Sequence, residues 1–160
     1  MATDVALANC RLHRPRQLDG RVEIVVAGRG VRRFPARVSA GFGVCVKYGA
    51  AHDVVVEGRG LVYPADSVSL RVPGCVWASE TGEHGFVSID VAADSIPPDW
   101  KGGPMVFAAR VSLPDVAQVA ERLVRADDPL DADEVLTQLL DSVVATKAFT
   151  SETVRDPSGP

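Results

Sequence analysis

The sequence lacks most of the devices that reveal the chemistry of a chain this size. Its only histidines are His13, His52 and His84, and none forms an H-x-H or H-x-x-x-H pair, so zinc-type spacing is absent. The cysteines, Cys10, Cys45 and Cys75, are odd in number and widely spaced, which excludes a disulfide framework and fits a reducing cytoplasm. No Gly-x-Ser-x-Gly elbow and no phosphate-binding loop occurs. No apolar run approaches the ~20 residues that span a bilayer. The N-terminus has neither the basic start nor the apolar stretch of a signal peptide. The expectation is a cytoplasmic, non-catalytic protein with no cofactor, no metal and no membrane contact.

What the chain does have is β periodicity followed by helical periodicity. Its 160 residues suffice for one domain, or one domain with an appendage. Residues 1–20, with His13-Arg14-Pro15-Arg16, read as an irregular arm. From residue 21 onward apolar residues recur at every second position: Val22, Ile24 and Val26; Val44, Val46 and Tyr48; Val68, Leu70 and Val72; Val87, Ile89 and Val91. Short runs of period two between turn residues predict an antiparallel sandwich or barrel over 21–110. Val25-Val26-Ala27-Gly28-Arg29-Gly30-Val31 recurs as Val55-Val56-Glu57-Gly58-Arg59-Gly60-Leu61. Strand-like residues, not a helix, follow each Gly-Arg-Gly, so both copies read as hairpin turns rather than phosphate cradles.

After Pro97-Pro98 and Gly102-Gly103-Pro104 the period changes to 3.6. Ser112, with Asp115 three residues on, predicts the cap of a first helix whose apolar face is Val116, Val119, Ala120, Leu123 and Val124. Asp131, with Glu134, predicts the cap of a second. The short link Ala126 to Leu130 predicts an antiparallel pair over 111–149, with a polar linker or tail at 150–160. On the second helix Val135, Leu136, Leu139, Leu140, Val143 and Val144 span about half the circumference at about 100° per residue. One neighbour needs only about 100° of arc, so a second surface is implied, either the chain's own barrel or a partner subunit. Asp127, Asp128, Asp131 and Asp133 sit where a helix N-terminus favours negative charge, which explains them without catalysis.

Charge is unevenly placed. Residues 1–60 hold ten Lys/Arg against five Asp/Glu, and residues 61–160 hold seven against sixteen. The acidic half is a poor surface for nucleic acid. Arg29, Arg32, Arg33 and Arg37 serve as solvated strand edges or attract an anion. A small barrel can enclose one ligand with its inward side chains. Tyr48, His52, Arg71, Trp77, Phe86 and Ser88 are the candidate aromatic walls and polar handles.

The run Pro64-x-Asp66-x5-Val72-Pro73-Gly74-x-x-Trp77, then Gly85-Phe-Val-Ser-Ile-Asp-Val91, then two helices, resembles the N-terminal effector-binding and dimerisation domain of AraC-type transcription regulators. The resemblance covers roughly residues 40–150. It implies a cupin-like jelly roll that binds a small effector, an arm over 1–20, and a homodimer through the second helix. It places Trp77, Ser79, Phe86 and Ser88 near the effector. Metal-binding cupins carry a histidine where Trp77 stands, so the resemblance implies a metal-free pocket. DNA would be reached only through a helix-turn-helix half that is absent from this chain. A small cupin enzyme with a degenerate metal site, and a ligand-free dimerisation scaffold, are the rival expectations.

Overall fold

The computed structural model describes residues 10–95 and 103–146; Pro97-Pro98 and the expected tail at 150–160 lie outside them. Among the described residues the strands are β1 (Cys10–His13), β2 (Val22–Val38), β3 (Phe42–Gly49), β4 (His52–Val56), β5 (Arg59–Tyr63), β6 (Ser67–Arg71), β7 (Val76–Val91) and β8 (Met105–Ala109). The helices α1 (Val116–Arg125) and α2 (Pro129–Ala145) follow. The fold is mainly antiparallel β with two helices.

The sheet order is β1-β2-β7-β3-β6-β8, with β4 paired to β7 and β5 to β4. Strand β7 is its spine. One edge of β7 pairs with β2 from end to end, and the other carries β3 at His84–Val91 and β4 at Trp77–Ser79. Among the described residues no ladder joins β8 to β1, so the sheet is open.

Register converts the sequence alternation into two faces. Ile24, Ile89, Val44, Leu70 and Val106 stand in one cross-strand row, all on the same face. They form one buried cluster with Val119 and Leu123 of α1 and with Val135, Leu136, Leu139, Leu140 and Val143 of α2. Each fully buried side chain of this kind contributes about 1.5–3 kcal/mol. The wide apolar arc of α2 is therefore filled within the chain. Of the six residues expected at a dimer seam, only Val144 is substantially exposed, at 37%.

Local chemistry moves several boundaries expected from the sequence. Helix α1 is capped by Asp115, whose carboxylate accepts from the amides of Ala117 and Gln118, and not by Ser112. Leu113 precedes Pro114 and is held extended (φ −124°, ψ 158°), which bars a helix from starting at Ser112. Helix α2 is capped by Asp128, not Asp131, because Pro129 suits the first helical turn and has no amide hydrogen to satisfy. The two Gly-Arg-Gly copies diverge. Glu57 and Gly58, at φ 50° and 76°, make the two-residue β4–β5 turn. Gly28-Arg29-Gly30 instead lies inside β2, at a bulge where pairing to β7 shifts register between Ala27 and Gly30.

Residues 10–20, within the expected irregular arm, form an edge strand against β2 and a short 3-10 turn, Arg16–Leu18. Leu18 is fully buried in the helix-side cluster. Gln17 donates to the Asp127 carbonyl and Arg21 pairs with Asp133, fastening this segment to the start of α2.

Candidate functional site

The sheet face opposite the helices carries a cavity of about 120 Å³. That is slightly smaller than the ~150 Å³ apolar cavity that admits benzene. It is made by the residues that alternate with the helix-side core. Ser88 and Asp90 alternate with Val87, Ile89 and Val91 on β7, Cys45 and Lys47 with Val44 and Val46 on β3, and Ser69 and Arg71 with Val68 and Leu70 on β6.

Three of these groups form a linked array. Ser88 Oγ donates to Asp90 Oδ2 at 2.9 Å, and Arg71 Nη2 lies 3.4 Å from Ser88 Oγ and 3.5 Å from Asp90 Oδ1. Burial raises the Asp90 pKa, while Arg71 and the Ser88 hydroxyl oppose that rise. Gly43 stands between Asp90 and Arg71 in the ladder and leaves room for both. The Arg71 guanidinium lies over the Trp77 ring at 4.9 Å, and that of Arg37 lies 5.6 Å from the same ring.

Another part of the lining is a ring stack. His52 and His84 stack at 4.6 Å with planes 7° apart, and Tyr63 continues the stack beyond His52 at 5.3 Å. Lys47 Nζ donates to the carbonyls of Ala50 and Tyr63 and lies 3.2 Å from His52 Nδ1. Burial, then the Lys47 charge, then His84 push the His52 pKa down to about 3. Burial, then Lys47 and Arg32, lower that of His84. Both imidazoles are neutral near pH 7. Burial also lowers the Lys47 pKa to about 8 and pushes the Cys45 thiol up to about 11, so Cys45 is a protonated, poor nucleophile.

Of the seven pocket residues expected from the sequence, His52, Arg71, Trp77, Ser79, Phe86 and Ser88 line this cavity. Tyr48 does not. It shares a face with Val44 and Val46, packs on the helix-side cluster and receives Arg110 over its ring at 4.7 Å. Sequence reasoning missed Lys47, Tyr63, His84 and Asp90, and raised Arg37 only as one of four arginines that could attract an anion, not as part of this pocket. For Lys47 and Asp90 the signal was present, since each alternates with a recognised apolar set.

Several buried polar atoms of the lining have no hydrogen-bond partner: Arg71 Nε, Arg37 Nε, Trp77 Nε1 and His84 Nδ1. Leaving such groups unpaired away from water costs about 1–3 kcal/mol each, so clustered orphans mark a place where something else supplies the partners. Among the described residues no group of three or more His, Cys, Asp or Glu is arranged to hold a metal ion. No described helix is long and apolar enough to cross a membrane.

Fold and site together define a mainly antiparallel β domain that carries on one sheet face a cavity with charged and polar side chains set in a mainly apolar lining, and helices on the other. No protein-family model matches the chain, and no curated protein matches its sequence.

Proposed function

We propose that this chain is a small-molecule sensing domain of the AraC type, with a cupin-like jelly roll that holds an effector and an antiparallel helix pair that transmits its presence. The observation that carries this reading is the cavity with unpartnered donors on its wall, because a scaffold with a filled core has no use for orphaned polar atoms. The sheet supports transmission. Ser88 and Asp90 face the cavity, while Val87, Ile89 and Val91, interleaved with them, lie in the cluster shared with α1 and α2. An effector that binds one sheet conformation better than another shifts the helix side by its difference in affinity. The regulator would be cytoplasmic and would reach DNA through a domain outside this sequence.

Pairing of two copies through the helices would use the apolar groups left exposed there, Leu130 and Val144 on α2 and Val124 on α1, since the rest of the α2 stripe is internal. A thermal-shift screen with small metabolites tests the sensing reading. A ligand at about 100 times its Kd stabilises by about 2.7 kcal/mol. Failure of every compound favours the scaffold. Stoichiometric iron, manganese, nickel or zinc in the purified protein favours the cupin enzyme.

A further inference from the structure

Resting on that reading, we infer that the effector is a small carboxylate, bound between Arg37 and Arg71 with its body against Trp77. The charge of the cavity points to an anion. Arg37, Arg71 and Lys47 line it, against Asp90 as the one carboxylate in the lining. Asp90 is already engaged by Ser88 and Arg71. Lys47 spends its hydrogens on the Ala50 and Tyr63 carbonyls and beside His52, so it is held as part of the wall. The two arginines are differently placed. Arg71 is 92% buried by its 8% exposure, yet its Nε has no acceptor, and Arg37 Nε is likewise buried and unmatched. None of the ion pairs among the described residues includes Arg37.

Both guanidinium groups lie over the same indole, which fixes their planes while leaving N–H edges available. The forked donor of arginine matches the two oxygens of a carboxylate. Trp77 Nε1, also unpartnered, adds a neutral donor on the same wall. A sugar would ask for acceptors as well as donors, but the orphaned atoms on the arginine and Trp77 wall are all donors. The cavity volume limits the ligand to a single small ring or a short chain.

The test uses acetate, pyruvate and benzoate, each against its neutral amide, by titration calorimetry and by Trp77 fluorescence in a Trp100→Phe background. At least one acid should bind at least tenfold more tightly than its amide, and Arg37→Gln should remove that preference. Arg37 has no ion pair among the described residues but lies over the Phe34 and Trp77 rings at 5.0 and 5.6 Å, so the ligand-free melting temperature of this variant should fall by only a few degrees. Arg37→Lys, which keeps charge but not the fork, should fall between the two. Amides that bind as tightly as the acids overturn the carboxylate assignment and leave the sensing domain standing. Absence of binding by both acids and amides, with no change in Trp77 emission, overturns the assignment and counts against the sensing reading too.

Discussion

Gly43 stands directly across the β3–β6 ladder from Arg71, and a β-carbon there would come within 2.8 Å of Arg71 Nη2 and 2.9 Å of Asp90 Oδ1. The absent side chain makes the space in which the Arg71–Asp90 pair sits. Gly43→Ala should therefore push the pair apart, at a cost of about 1 kcal/mol, the low end for overpacked sites, because both contacts are to side-chain ends that border the cavity. Urea denaturation measures the loss, and an unchanged midpoint would show that the pair can move aside freely.

The two Gly-Arg-Gly copies should respond oppositely to alanine. Gly58 sits at φ 76°, where a β-carbon is strained, so Gly58→Ala should destabilise by about 1–2 kcal/mol. Gly28 has no positive φ and open space where a β-carbon would go, so Gly28→Ala should be neutral or stabilising by up to about 1 kcal/mol. Parallel melts of both variants decide it.

The histidine stack should make the fold acid-sensitive. His52 titrates near 6.5 when unfolded and about 3 when folded, and His84 is lowered in the same direction. Below pH 6.5 the unfolded chain binds more protons than the folded one, so stability is full above 6.5 and declines as pH falls toward 3. Asp90 works the other way near its own range, because its folded pKa is raised. The histidine contribution is read most cleanly just below pH 6.5, the end of its window farthest from the carboxylate range. Melting temperature should fall with pH there, and His52→Phe, which keeps a ring to stack, should flatten the slope.

On α2 the buried and exposed apolar residues should separate folding from pairing. Leu140, at 8% exposure, belongs to the internal cluster, so Leu140→Ala should cost about 2–5 kcal/mol of stability. Leu130, at 76%, and Val144 are outward. Leu130→Asp with Val144→Asp should leave the melt within about 0.5 kcal/mol of the parent, as for ordinary surface changes. If two copies pair through this surface, sedimentation should report monomers for that double variant and dimers for the parent.

Reading the sequence recovered the strand phases well, because period-two alternation reports which residues share a face without any knowledge of the neighbours. Val87, Ile89 and Val91 against Ser88 and Asp90 is the clearest case. Tyr48 was misplaced by its chemistry, since an aromatic with a hydroxyl looks like a pocket wall, although its phase with Val44 and Val46 already set it on the other face. Caps were off by three residues on both helices, in each case because a proline decided the boundary. Arg37 could not be told from Arg29, Arg32 and Arg33 as the anion-facing arginine, and His84 was illegible as a site residue. Arg37 lies in β2, whose pairing with β7 shifts register between Phe34 and Arg37, so simple alternation does not fix where it points. His84 reaches the cavity only because β3 and β4 share the same edge of β7.

By itself, the sequence determined that the chain is mainly β with two helices at the end and which side of each strand is apolar, for these follow from local periodicity. Tertiary structure decided that the apolar arc of α2 is used internally and that cations from β2, β3 and β6 meet over one cavity. Those outcomes depend on register between strands distant in the chain, and a one-residue slip would have turned every one of those side chains to the opposite face.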